Sequence, residues 1–389
     1  MEALFKEVAL ATSLREGPEG VERIFWTITK ERHRTSKELA LQVRLPIPVV
    51  AAVRREFEKR GLLLRQGGIR LSETGLRLAK ALWGIEGMGA VSCARCNGTG
   101  LEPVEFSEET RAEIGRILKC RPPADVTLDQ AHLTEDCVLR KSQLLIDEGM
   151  ILGKNVLFLG DDDFLSPAVL LIVRSEFGED ALSRCGVTVI DLDERIVGQI
   201  SEMARRSSLP LRVESGDVRD PLPDDLRGRS DVIVADPPYT CTAARVFLDR
   251  CIEALKPESE GTVVFSFGPK ANADRLALQE IWTSKGLALG SLNLGYNRYE
   301  GGGVLGGQSD LHILSRVPAG SGESGPRKTA FYTAGTGRGS RPYLCTTCGM
   351  KTSVGAKEQI LTIRDLKEAG CPGCGGRKFR YAQKDRRET

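Results

Sequence analysis

The chain has 389 residues, 41% of them hydrophobic and 28% charged, which suits two or three folded domains and excludes wholesale disorder and collagen-like character. Lys plus Arg number 55 and Asp plus Glu 53, a formal charge of +2, so no global field draws the molecule to nucleic acid or to an anionic membrane. No apolar run approaches the ~18 residues of a membrane span. The N-terminus MEALFKEVALATSLREG has acidic residues inside its apolar stretch and no small-residue cleavage pattern, so a cytoplasmic chain without a membrane partner is expected.

Residues 1–87 read as helices around a short hairpin. Thr35 or Ser36 can cap a helix through Val43, Pro46 and Pro48 mark a turn, and VVAAVRREFEKR follows as a second helix. Leu62–Arg65, Gly67-Gly68 and Ile69–Leu71 look like a wing, and Ser72-Glu73-Thr74-Gly75 leads into another helix. This resembles a winged helix-turn-helix, whose second helix would read DNA. A scaffold reused for dimerisation or domain packing is the competing reading, because fold does not dictate function. Residues 88–150 form a connector with Cys93, Cys96, Cys120 and Cys137 and an amphipathic run around LRKSQLLIDEG. The four cysteines can make a metal site with irregular gaps, or Cys137 is a buried thiol.

Residues 151–318 alternate strand-like and helix-like segments: NVLFLG, a helix from about Ser166 to Glu176, VTVIDLD, the helix ERIVGQISEMARR, LRVESGD, DVIVADPP and GTVVFSFG. LALGSLNLGYNRYE and SDLHILSR can pair as the last two strands. The alternation predicts an α/β fold, a Rossmann-like doubly wound catalytic domain. Ligands bind such sheets beyond the C-terminal strand ends, which puts Asp161–Asp163, Asp191, Asp217 and Asp236 on one rim. Residues 319–342 are rich in Gly, Ser, Thr and Pro and read as a flexible linker. In the tail, residues 343–389, Cys345, Cys348, Cys371 and Cys374 stand in a C-x2-C-x22-C-x2-C pattern. That is a zinc-ribbon-like signature, and four thiolates would fill a tetrahedral zinc site, making the metal structural. Disulfides are the competing reading.

The chemistry lies on the rim. Gly160-Asp161-Asp162-Asp163 follows the first strand where a nucleotide-binding turn would offer glycines. Three carboxylates repel a pyrophosphate, so the site must attract a cation. An acidic helix cap is the plainer alternative. Asp191, at the end of the second strand, is placed for ribose hydroxyls, with Asp193 competing for that role or capping a helix. Asp217 can bind an adenine amino group or simply make a turn. Asp236-Pro237-Pro238-Tyr239 resembles the motif of amino-group methyltransferases, in which a carboxylate and an aromatic face orient an amine beside a sulfonium.

Together, NVLFLGDDDF, VIDLDERI, DVIVADPPYT, GYNRYEGG and SDLHILSR resemble the branched-chain polyamine synthases, the N4-bis(aminopropyl)spermidine synthase family of thermophiles. The resemblance covers about residues 15–318, including the winged-helix start, the Cys-x-x-Cys connector and Asp129-Gln130. It implies an aminopropyltransferase that uses decarboxylated S-adenosylmethionine as co-substrate. Two aminopropyl groups would pass to the internal nitrogen of spermidine, releasing methylthioadenosine each time. It further implies Asp162 as the main catalytic carboxylate, with Asp161 and Asp163 positioning the amines. Gly160, Asp191, Asp217, Asp236 and Pro237 are the expected donor-binding positions, and Asp236, Tyr239, Asn297, Tyr299 and Glu300 the expected acceptor walls. His312 reads as a core residue. The alternatives are an S-adenosylmethionine-dependent amino methyltransferase acting on DNA or RNA, which the acidic rim opposes, and a regulator that senses a polyamine without turnover. A homodimer is the expected assembly.

Overall fold

The computed structural model describes residues 2–14, 16–30, 35–43, 45, 47–64, 68–85, 87, 106–268, 271–300, 307–317, 341–355 and 358–382. It falls into two units, residues 1–322 and 323–389. Cys93, Cys96 and most of the expected linker lie outside the described residues.

The first unit opens with helices α1 (Glu2–Thr12), α2 (Gly17–Lys30), α3 (Ser36–Val43), α4 (Ile47–Lys59) and α5 (Glu73–Trp83). Between α4 and α5, Leu63 and Leu71 form an antiparallel bridge, and the Leu64 N–H donates to the Arg70 carbonyl at 3.1 Å. The Ser72 hydroxyl caps α5 by accepting from the Gly75 N–H. Gly84 ends the helix at φ 74°, where an added Cβ would lie 2.5 Å from the Ala181 backbone. Only glycine meets both conditions.

Helices α6 (Glu108–Leu118) and α7 (Glu135–Asp147) follow, separated by a 3-10 turn at Val126–Leu128. The last turn of α7 anchors α2: Trp26 Nε1 and Lys30 Nζ both donate to the Asp147 carbonyl, at 2.8 and 2.6 Å. These bonds satisfy a carbonyl that the helix end leaves free. One apolar cluster runs from Phe5 through Phe25, Trp83, Leu145 and Val156 to Leu311. The core is therefore continuous across residues 87 and 150, where domain boundaries are expected from sequence.

The sheet contains β1 (Asn155–Leu159), β2 (Gly186–Asp191), β3 (Leu211–Ser215), β4 (Val232–Ala235), β5 (Thr262–Phe267), β6 (Leu287–Arg298) and β7 (Gln308–Arg316). Their spatial order is β3-β2-β1-β4-β5-β7-β6. β1 to β5 are parallel, and β7 and β6 add antiparallel. All four residues of β4 and the last four of β1 are buried, the pattern of strands covered on both faces. Helices α8 (Leu165–Leu182), α9 (Glu194–Arg206), α10 (Cys241–Ala254) and α11 (Asn272–Ser284) supply the cover. α8 runs past the expected end at Glu176 and breaks at Gly178, which adopts φ 82°. The sequence reading places no helix at α10 or α11. The chain order reverses between β1 and β4, and the crevice opens at their C-terminal ends.

The second unit contains β8 (Arg341–Cys345), β9 (Lys351–Val354), α12 (Ile363–Ala369) and β10 (Phe379–Tyr381). The strands form an antiparallel sheet in the order β10-β8-β9. A reciprocal box between Thr362 and Asp365 starts α12. Among the described residues, no helix is long and apolar enough to cross a membrane.

Phe25 is fully buried and its ring meets Phe5, Phe57 and Trp83 at 5.5–5.9 Å. Phe25→Ala is expected to destabilise the first unit by about 3–5 kcal/mol, read as a lowered urea midpoint.

Candidate active site

The three consecutive aspartates after β1 have three different surroundings. Gly160 leaves the strand at φ 78° and donates its N–H to the Ile190 carbonyl at 2.8 Å. The Asp161 carboxylate accepts from the Leu165 and Ser166 N–H groups at 2.9 and 3.0 Å, so it caps α8. Asp163 accepts from the Leu133 N–H at 2.5 Å. That bond ties the turn to residues 132–134, which themselves pair with the end of β6 through Leu133–Tyr299 and the Thr134 N–H to Arg298 carbonyl bond. Asp162 alone of the three lines the cavity at the crevice. Among the described residues, no hydrogen-bond donor engages its carboxylate.

This cavity has a volume of about 470 Å³. Gly160, Asp162, Asp191, Asp217, Asp236, Pro237, Tyr239 and Tyr299 line it, with Thr127–Ala131 as a further wall and Ala243, Val246 and Phe247 of α10 as an apolar patch. Four expected site residues do not line it: Asp161, Asp163, Asn297 and Glu300. Asp161 and Asp163 are buried with their oxygens on backbone amides, as above. Asn297 is buried and donates to Ser266 and Ser309. Glu300 has a side chain 55% exposed and paired with Arg121 at 3.5 Å.

Asp191 accepts from the Asp161 and Asp193 N–H groups, each at 2.8 Å. A carboxylate has about four acceptor sites, so capacity for a diol remains. Asp193 instead caps α9 and pairs with Arg195, which holds its carboxyl down to about 2. Asp217 accepts from the Arg219 N–H at 2.8 Å and pairs with the Arg219 guanidinium, which holds it below the usual carboxylate range.

Asp236 accepts from the Tyr299 hydroxyl at 2.6 Å, and Tyr239 donates to Tyr299 at 2.8 Å. The chain continues inward: Tyr299 meets Ser309, Ser309 accepts from Asn297, and Asn297 also donates to Ser266, which accepts from Lys141. Burial, and then the Asp236 charge, push both tyrosines above their ordinary values, so both remain donors. The Tyr239 ring lies over Gly268, where an added Cβ would come within 2.4 Å. His312 is buried, with Nδ1 at 3.2 Å from the Phe265 carbonyl and its ring beside Trp282, a core setting.

Desolvation dominates the electrostatics. Burial, followed by the charges of Asp163, Asp236 and Asp191, drives Asp162 well above a normal carboxylate. Burial raises Asp161 to about 8 and Asp163 to about 7, the latter opposed by Lys141. Such a rim binds cations and can hold a proton near neutral pH. The sequence reading misses Lys141, Ser266, Ser309 and most of the Thr127–Ala131 wall. A signal for Lys141 exists: it stands four residues from both Cys137 and Leu145, on the buried stripe of α7.

In the second unit, Cys345, Cys348, Cys371 and Cys374 bring all four sulfurs within 4.8 Å of one another. The Cys345–Cys374 and Cys348–Cys371 separations are both 3.6 Å. That is too long for a disulfide of about 2.05 Å and close to the ~3.8 Å edge of a tetrahedron with metal–sulfur bonds of about 2.3 Å. Cys120 is exposed, whereas Cys137 is a buried thiol that accepts from the Arg298 N–H at 3.1 Å. Neither belongs to a metal-competent group among the described residues.

The model of the branched-chain polyamine synthase A C-terminal domain matches residues 109–318. An uncharacterized protein of Methanocaldococcus jannaschii is 31% identical across 98% of this chain and 93% of its own. N(4)-bis(aminopropyl)spermidine synthase of the same organism is 31% identical over 55% of this chain, which spans 58% of that enzyme's length. The branched-chain polyamine synthase of Thermus thermophilus, solved with N4-aminopropylspermidine and 5'-methylthioadenosine, is 23% identical over 81% of this chain and 93% of its own, with a TM-score of 0.49. The family match spans more than half of the sequence and takes in every strand of the catalytic sheet: this chain belongs to the branched-chain polyamine synthase family.

Proposed function

We propose that this chain is an aminopropyltransferase. It moves aminopropyl groups from decarboxylated S-adenosylmethionine to the N4 nitrogen of spermidine, giving N4-aminopropylspermidine and then quaternary N4-bis(aminopropyl)spermidine. Methylthioadenosine is released at each transfer. The observation that carries this reading is the Asp162 carboxylate, which faces the cavity without a protein donor among the described residues, beside Asp236.

The donor has a ribose, an adenine and a sulfonium but no phosphate, and the cavity offers a carboxylate for each. Asp191 retains acceptor capacity for the ribose diol, and Asp217, on the cavity wall, is the group we assign to the adenine amino group. The acceptor is a polycation whose reacting nitrogen must lose its proton before attack. Asp162, raised by burial and by its acidic neighbours, can hold that proton, whereas an ordinary aspartate near ~3.9 cannot. The nitrogen lone pair then attacks the methylene beside the sulfonium. The C–N bond forms, the C–S bond breaks, and its electron pair returns to sulfur as the neutral thioether. In the first transfer the new tertiary ammonium loses one proton. In the second, the tertiary nitrogen becomes quaternary and has no proton to lose. Asp236, held by Tyr299, which itself accepts from Tyr239, fixes the acceptor beside the sulfonium, and this alignment supplies much of the rate.

The DPPY turn also suits an amino methyltransferase of nucleic acid, but five cavity-lining carboxylates, Asp129 among them, disfavour a polyanion, which Lys and Arg bind. The helix order, the Leu63–Leu71 bridge and α5 support the winged-helix reading of the N-terminal region. Its α4 cations are largely occupied: Arg54 pairs with Glu58, and Lys59 and Arg60 pair with Glu56. This favours a scaffold over a DNA-reading helix. For the second unit, the sulfur separations support a structural zinc held by the four cysteines in a zinc-ribbon-like fold.

Incubation with spermidine and decarboxylated S-adenosylmethionine should give two successive aminopropyl mass steps by mass spectrometry. Asp162→Asn is expected to lower the rate about 10²–10⁴-fold. An Asn variant as fast as the parent, or no mass step in the parent, would sink the assignment.

A raised carboxylate binds more protons folded than unfolded, so the ligand-free protein loses stability as pH rises. The window runs from the unfolded value to about 7 for Asp163 and about 8 for Asp161. Spermidine, which neutralises the ionised cluster, should therefore raise Tm more at about pH 8 than at about pH 5.

Elemental analysis should find one zinc per chain, lost in Cys345→Ser. Amide exchange in residues 341–382 should accelerate in that variant by about tenfold or more.

A further inference from the structure

Lys141 is the buried cation that the proposed reaction leaves unused. It is 1% exposed, on the inner face of α7. Its ammonium has the Ser266 hydroxyl, not a carboxylate, as hydrogen-bond partner, at 3.1 Å. A buried ammonium without a direct counter-ion is costly, and it stands at the inner end of a polar chain whose outer end is the cavity. Ser266 also accepts from Asn297 at 3.0 Å, Asn297 donates to Ser309 at 2.8 Å, Ser309 meets the Tyr299 hydroxyl at 2.8 Å, and Tyr299 donates to Asp236. The Asn297 amide donates in both directions, so the chain orients its members and does not conduct protons.

We infer that Lys141 is a positioning residue: an internal cation, fixed through Ser266 at the inner end of the polar chain that reaches Asp236, that lets the buried acidic cluster ionise more readily for amines than burial alone would allow. The inference rests on the proposed aminopropyl transfer. Several groups face Asp163. Asp161 and Asp162 belong to its own turn, Asp236 comes from the end of β4, Tyr299 from the residue after β6, Arg121 from the turn after α6, and Lys141 from α7. Arg121 is engaged with the Leu118 and Leu133 carbonyls and with Glu300. Without an interior cation the buried carboxylates would hold their protons to still higher pH, and at acidic pH would lose more of their charge for binding and of their capacity to accept the amine proton. A polycation then could bind only after the cluster ionised, which lowers affinity most at acidic pH.

The test is the pH profile of kcat/KM for aminopropyl transfer in Lys141→Met and Lys141→Arg. In the Met variant the acidic limb should move to higher pH, so that activity relative to the parent falls roughly tenfold further at about pH 6 than at about pH 9. In the Arg variant the limb should stay where it is in the parent, even if the rate drops. Circular dichroism checks that each variant is folded, and Lys141→Gln, which keeps a hydrogen bond to Ser266, carries the same expectation as Met if Met does not fold. A loss uniform across pH, no loss, or a limb displaced in the Arg variant would overturn the inference. Calorimetric titration with spermidine reads the same shift without turnover: weaker binding of the Met or Gln variant confined to acidic pH is expected, and equal weakening at both pH values counts against it. If the parent shows no aminopropyl transfer, the proposed function fails, and the calorimetric arm still decides the role of Lys141.

Discussion

The structure depends on the desolvation of carboxylates at the C-terminal ends of β1, β2 and β4. Four aspartates of this rim, Asp161, Asp162, Asp163 and Asp191, are raised above their ordinary values chiefly by burial. The fold contains this cost by giving most of them structural partners. Asp161 closes the N-terminus of α8, Asp163 binds the Leu133 amide, and Asp191 receives two backbone amides. Asp162 is left facing the cavity, with no donor among the described residues. A single cavity-facing carboxylate thus emerges from a run of identical residues because the backbone satisfies its neighbours.

The same bonds bring the walls together. Asp163 draws in the segment at Leu133, which pairs with Tyr299. The segment just before Leu133 supplies the Thr127–Ala131 wall of the cavity, and Gln130 is held there by donating to Asp193. Tyr299 in turn holds Asp236 and Tyr239. Loss of any one of these contacts would loosen two walls at once. Helices α6 and α7 belong to this framework: they share one apolar cluster with the N-terminal helices and with β1. The N-terminal helices therefore pack into the same core as the strand that ends in the aspartate turn.

Much of the architecture was legible in the sequence. Apolar runs of four to six residues alternating with amphipathic stretches give a parallel sheet, and the strand-end aspartates follow from where such sheets bind ligands. The cysteine spacing gives the four-cysteine cluster. The segments at α10 and α11 were harder, because CTAARVFLDRCIEA and NADRLALQEIWTS have short apolar stripes between stronger strand signals. The extension of α8 was hidden by Gly178, which breaks the pattern without ending the element.

The sequence by itself determined the fold class, the acidic character of the rim and the chemistry it can bind, because these follow from periodicity and residue type. It could not divide labour among Asp161, Asp162 and Asp163, since three adjacent carboxylates have identical chemistry and differ only in which backbone amides they meet. It also could not place Glu300 outside the cavity or Lys141 beneath it. Those outcomes depend on contacts such as Arg121 with Glu300 and Lys141 with Ser266, which join residues 179 and 125 positions apart. Only tertiary structure, by excluding water from some of these groups and not from others, decided which charges have structural partners and which face the cavity.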